Sequence, residues 1–248
     1  MKNQYFGDEH DFKKYLLLRS FMNGSQIPLL VAWYLTPNEK EESENKNDGN
    51  KRAYLKNKNG THSKADHDLF KWLRENREKR DVKVLENAKN IQLAHNVAFF
   101  SDMVPAKKND RNKWFAKLQE QARNAEIIFA DPDNGIKFNS KNRTNSEKYI
   151  YFDEIEALWN EGKSLIVYQH RQFVDSEVLR FGIMMKIWKE LDEKPFISVV
   201  HSDEVNYFFI LQNRHRALFD AMHNPNWSGL LSFFSYCMDE RGVRHLEA

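Results

Sequence analysis

Asp131 is the residue best placed by the sequence to do chemistry. It follows Ile127-Ile128-Phe129-Ala130, a short apolar run of strand character, and precedes Pro132-Asp133-Asn134-Gly135. Proline fixes φ and removes an N–H, so the chain leaves a sheet sharply at this point. The carboxylate is then held beyond the carboxyl end of a buried strand, where open α/β sheets bind their ligands. There it can accept a hydrogen bond from a substrate amine. With Asp133 it can also hold magnesium, an oxygen-seeking cation. Asn134 joins Asp131 as a catalytic candidate. Two other strand ends carry polar residues, Asp102 and Gln169-His170. A plain turn after a strand explains Asp-Pro equally well.

The second candidate is the stretch Gly7-Asp8-Glu9-His10-Asp11-Phe12-Lys13-Lys14-Tyr15. Asp11 and Lys14 are spaced i, i+3 and share one helix face. A capped helix start, with Asp8 as N-cap near the positive end of the dipole, accounts for the same residues. Residues 136–148 hold four basic residues, Lys137, Lys141, Arg143 and Lys148, against one acid, Glu147. Residues 106–124 hold six against two. Such local excess attracts phosphates, or simply solvates a surface. His201, His215 and His223 lack metal-ligand spacing, so no metal site is expected. Trp72, Trp114, Trp159 and Trp188 fall at helical core positions rather than stacking positions.

These residues need a scaffold. Helical periodicity predicts helices over residues 9–22, 64–79, 110–124, 153–159, 175–191 and 214–222. Apolar runs predict strands at 27–35, 97–100, 127–130, 164–168, 197–200 and 207–211. The alternation implies a parallel sheet. The last two strands are too close for a crossover helix and must form an antiparallel hairpin. Residues 36–60, rich in Asn, Lys and Glu, read as a flexible insertion with at most a short strand at 52–55. No internal repeat or linker divides residues 1–248, so one domain is expected.

Composition sets outer limits. The chain has 248 residues, 38 Lys and Arg against 36 Asp and Glu, and a net charge of +2, so it is no polycation. One cysteine, Cys237, allows no internal disulfide, and a reducing, cytoplasmic home is expected. No secretion signal and no run of 18 apolar residues is present, so no membrane partner is expected. Leu246-Glu247-Ala248 receives no role.

A parallel sheet that finishes in a hairpin is the layout of the Rossmann-like methyltransferases. Asp131-Pro132-Asp133-Asn134 resembles the Asp-Pro-Pro-Tyr of the adenine-N6 methyltransferases, with Asp133-Asn134 in place of proline and the aromatic. Gly7 to Lys14 resembles the Gly-Asn-x-x-Asp-x-x-Lys opening of the large-subunit ribosomal RNA adenine methyltransferase J family. The resemblance implies a doubly wound, mostly parallel, seven-stranded sheet ending in that hairpin. It implies S-adenosylmethionine as cofactor, bound by Gly7, Asp8, Asp11, Lys14 and Asp102, with Lys14 on its carboxylate. Asp131 would accept a hydrogen bond from the adenine amino group, and Lys137, Lys141, Arg143 and Lys148 would hold nucleic acid. The glycine-rich turn expected after the first strand is replaced by Thr36-Pro37-Asn38-Glu39.

Three readings follow. The first is methyl transfer from S-adenosylmethionine to adenine in nucleic acid. The second is a magnesium-dependent nuclease or phosphohydrolase using Asp131 and Asp133 with Asp8 or Asp11, helped by Lys137. The third is a degenerate nucleotide- or partner-binding core without catalysis, using residues 36–60 and 227–236 as interaction surfaces.

Overall fold

A computed structural model describes residues 1–37, 51–88, 90–138, 146–170, 177–222 and 226–246. Lys141, Arg143, His223 and most of the proposed insertion lie outside the described residues. The chain runs through α1 (Glu9–Phe21), β1 (Leu29–Ala32), α2 (Thr61–Ala65), α3 (His67–Glu75) and α4 (Lys83–Glu86). It continues through β2 (Val97–Phe100), α5 (Lys108–Gln121), β3 (Ile127–Ala130), β4 (Gly135–Lys137), β5 (Tyr149–Tyr151), α6 (Phe152–Asn160) and β6 (Ser164–His170). It ends with α7 (Glu177–Glu190), β7 (Phe196–His201), β8 (Val205–Leu211), α8 (Arg216–Ala221), β9 (Ser232–Phe233), β10 (Tyr236–Asp239) and β11 (Gly242–His245).

The fold is α/β with a mixed sheet. Nine strands form it in the order β11-β10-β7-β8-β6-β3-β1-β2, with β9 added on β7. Strands β2, β1, β3 and β6 are parallel neighbours, in register Leu29 to Ile127 and Ile127 to Ser164. β8 lies antiparallel to both β6 and β7, so β7 runs with the parallel block. The expected hairpin is present, and the expected central neighbours β1, β3 and β6 are adjacent. The expected count of seven is corrected: β9, β10 and β11 extend the sheet at its far edge, and β4 and β5 form a separate parallel pair.

Alternating side chains divide the core into two. Leu29, Val31 and Trp33 face α1, α3 and α8, while Leu30, Ala32 and Tyr34 face α5, α6 and α7. Helices therefore cover both faces, which is why the central strands are continuously apolar. The helix expected over 64–79 is two helices, because the Asp66 side chain accepts the Leu69 N–H and starts α3 afresh. The strand expected at 52–55 is instead a 3-10 turn, Ala53–Lys56. The last helix is shorter than expected, with a 3-10 turn, Asn213–His215, before α8. Among the described residues, no helix is long and apolar enough to cross a membrane.

Candidate functional site

β1 lies between β2 and β3, although β2 follows it directly in the chain and β3 comes later. The strand order therefore reverses between β1 and β3, the position at which open sheets leave a crevice. Asp131 closes β3 there, 1% exposed. α1 brings Lys14 to the same place. Lys14 Nζ donates to Asp131 Oδ2 at 2.7 Å and to Asp11 Oδ1 at 3.0 Å. It also donates to the Met1 Sδ at 3.3 Å, and its charge lies 4.8 Å from the centre of the Tyr168 ring.

Local chemistry builds the Lys14 side of the site. Asp8 caps α1 by accepting the Asp11 N–H at 2.9 Å. Asp11 in turn accepts the Gly7 N–H at 2.9 Å and the Tyr15 hydroxyl at 3.1 Å. Gly7 stands at φ +79, a left-handed conformation that glycine adopts without strain. The capped-helix reading of this segment is thus correct. The same cap delivers Asp11 and Lys14 to the crevice.

The β1 side is unusual. The chain leaves β1 through Tyr34 at φ +48, where a side chain costs about 1–3 kcal/mol of backbone strain. The Tyr34 carbonyl accepts the Met1 ammonium at 3.0 Å, and the Asp131 carbonyl accepts it at 3.1 Å. Asp133 Oδ1 pairs with the same ammonium at 2.7 Å, and Thr36 Oγ1 donates to Asp133 Oδ2 at 2.8 Å. The Thr36 N–H donates to the Met1 carbonyl at 2.8 Å. The ends of β1 and β3 therefore hold both the amino and the carbonyl group of a methionine.

Around this lies a cleft of about 330 Å³, lined by Lys2, Tyr5, His10, Lys51, Lys148 and His170 as well as by Asp8, Asp131, Asp133 and Asn134. His10 and His170 meet with ring centres 6.3 Å apart, and His10 Nε2 sits 2.9 Å from Glu204. Burial shifts these groups. It raises Asp8 to about 8, aided by the neighbouring Asp11 carboxylate. It lowers His10 to about 4, against the pull of Glu204. Burial would lower Lys14, but the Asp131 and Asp11 carboxylates outweigh it and hold the ammonium firmly charged. Burial also raises Asp131, with Lys14 and the Met1 ammonium opposing it.

The structure thus gathers Gly7, Asp8, Asp11, Lys14, Asp131 and Asn134 at one crevice, as the two motifs led one to expect. Lys148 lines the cleft as well. Lys137 lies on β4 with its ammonium 4.9 Å from the Tyr149 ring centre. Asp102 is elsewhere: it follows the edge strand β2, is exposed, and pairs with Lys117 at 3.1 Å. Met1, Lys2, Tyr5, His10, Lys51 and Tyr168 were not anticipated. For all but Lys51 the only sequence signal is nearness to the Gly7 motif or to a strand end; Lys51 has none, and no spacing marks any of them. Among the described residues, no three His, Cys, Asp or Glu side chains are grouped to hold a metal.

No protein-family model, curated protein or solved structure matches the chain.

Proposed function

We propose that the protein transfers a methyl group from S-adenosylmethionine to the amino group of adenine in nucleic acid. The observation that supports this reading most is the 2.7 Å contact of Lys14 with Asp131, which joins the two family-like motifs at the strand-order reversal. The residues present fit the cofactor. Its α-ammonium would take the acceptors that now hold the Met1 ammonium, the Tyr34 and Asp131 carbonyls and the Asp133 carboxylate. The Lys14 N–H now on Met1 Sδ rests on a weak acceptor, which a carboxylate would replace. The cofactor supplies an electrophilic methyl group when bound. Asp131, through its remaining lone pairs, accepts an N–H of the adenine amine and orients its lone pair. Lys148 and Lys137 attract the phosphates, and a base within a duplex has to be flipped out to enter.

Lys14 weighs against the nuclease reading, because its ammonium occupies the place beside Asp131 that a magnesium ion needs. A second reading, nucleotide binding without catalysis, is favoured by one observation: Tyr34 rather than a glycine carries the left-handed turn after β1.

The test is transfer of labelled methyl from S-adenosylmethionine to mixed RNA and DNA, with and without chelator, alongside calorimetric titration of the cofactor. Chelator-insensitive transfer to adenine is the expected result. Cofactor-independent, magnesium-dependent degradation would establish the nuclease. Nucleotide binding with neither transfer nor cofactor binding would establish the non-catalytic module.

A further inference from the structure

Gln169 sits near the end of β6, 7% exposed, and fastens the loop that carries Asn134. Its Nε2 donates to the Asn134 carbonyl at 2.7 Å and to the His170 carbonyl at 3.1 Å. Its Oε1 accepts the Ile136 N–H at 2.9 Å. One side-chain amide therefore bridges the backbone on both sides of Gly135, as a neighbouring strand would. Gly135 stands at φ +104, and a Cβ there would lie 2.3 Å from the Gln169 amide carbon and oxygen. No residue with a side chain fits. The Asn134 N–H is also committed, to the Lys148 carbonyl at 2.8 Å. With both backbone groups fixed, Asn134 lines the cleft beside Asp131 and Pro132.

We propose that Gln169 is the positioning residue of a base-reading site in which the Asn134 amide recognises the edge of an adenine. The inference rests on the reading that a base enters this cleft. An asparagine amide offers one donor and one acceptor side by side, which match N7 and the N6 amino group of adenine. An aromatic residue at this position would stack on any base. An amide discriminates by hydrogen bonds, so the substrate class narrows to unpaired or flipped adenine with a free N7. The N6–H on the N7 side goes to Asn134, and the one on the N1 side goes to Asp131. The clamp on Gly135 matters because a flexible Asn134 would lose the side-by-side geometry.

The test is cofactor-free binding, by fluorescence anisotropy, of single-stranded oligonucleotides that carry either adenine or 7-deazaadenine. The wild-type protein is expected to prefer adenine by about tenfold, because 7-deazaadenine lacks the N7 acceptor and leaves the amide N–H of Asn134 unpaired. Asn134→Ala and Gln169→Ala should each bring the ratio close to one. The double variant should lose no more than either single variant, because both act through one contact. Thermal melting checks folding. Should Gln169→Ala fail to fold, Gln169→Glu keeps the size and the acceptor but lacks the donor, and it should lose the discrimination too. No preference in the wild type, a preference retained on changing Gln169, or additive losses in the double variant would overturn the inference. The labelled-methyl assay is separate. Discrimination without methyl transfer removes the proposed function and leaves this inference, whereas methyl transfer without discrimination does the reverse.

Discussion

Lys14 and Asp131 are 117 residues apart in the chain and 2.7 Å apart in the fold. The lysine arrives on a helix that packs over the sheet, and the aspartate ends a central strand. Both are almost fully buried, and Asp11 shares the same ammonium. One cation between two buried carboxylates is a costly arrangement to leave half-made, since a buried charge without its partner is strongly disfavoured.

Lys14→Met is therefore expected to destabilise the protein by about 3–5 kcal/mol. Lys14→Met combined with Asp131→Leu should cost less than the sum of the two changes, because the second removes a charge that the first strands. Urea denaturation of the four proteins measures this. Equal, additive losses would mean that the contact carries no coupling.

Asp8 gives a pH signature. Its folded-state value is about 8 against an ordinary 3.8, chiefly from burial and then from Asp11. Between those values the folded protein holds a proton that the unfolded chain has released. This contribution to stability is complete below about pH 4 and is lost as pH rises towards 8. Asp8→Asn copies the protonated form and keeps the cap. Its melting temperature should gain on the wild type from pH 6.5 to pH 8.5. His10 acts in the opposite sense, its value being lowered from 6.5 to about 4 by burial. The stability it contributes is present above about pH 6.5 and is lost as pH falls through that lower window, so the comparison above pH 6.5 isolates Asp8. A gap that narrows with rising pH would refute the assignment.

Gly135→Ala should destabilise the protein by more than about 1 kcal/mol, because it adds a clash with Gln169 to the backbone strain of φ +104. Gly24→Ala provides the control: φ there is +71, with nothing within 4 Å of the added Cβ. The difference between the two in denaturant midpoint reports the Gln169 contact together with the greater backbone strain of φ +104. Equal losses would mean that Gln169 yields freely.

The parts of this architecture that were legible in the sequence are those set by local physics. Ile127–Ala130 and Tyr207–Leu211 are apolar runs that a doubly covered strand explains, and both lie in strands. Asp131 and Lys14 were legible because a strand–Asp-Pro junction and an i, i+3 pair each imply a direction. The rest depended on tertiary context. β9, β10 and β11 are short and half-polar, and they become strands by pairing with β7 and with one another. The segment at Ala53–Lys56 has strand-like residues but wraps over the turn at Gly7, where the Tyr54 hydroxyl donates to the Gly7 carbonyl. Lys2, His10 and Lys51 converge on the cleft from separate segments with no shared periodicity. Asp102 resembled a site residue because it ends a strand, but it is exposed, pairs with Lys117 and is not among the residues that line the cleft.

Asp131 variants bear most directly on the chemistry. Asp131→Asn keeps an oxygen that can accept the amine N–H, and so should retain part of the methyl-transfer activity. It also weakens the pairing with Lys14, so its melting temperature should fall. Asp131→Ala removes the acceptor, and loss of one such preorganised hydrogen bond lowers the rate by about 10²–10³. Lys14→Ala should act differently. Its proposed contact is with a part of the cofactor that does not react, so it should raise the cofactor KM more than it lowers kcat. Steady-state kinetics with labelled S-adenosylmethionine, on variants shown to be folded at the assay temperature, separates the two roles. If Asp131→Ala and Lys14→Ala gave the same pattern, a KM effect in both or a kcat effect in both, the pair would be acting as a single structural unit and the division of labour between them would be wrong.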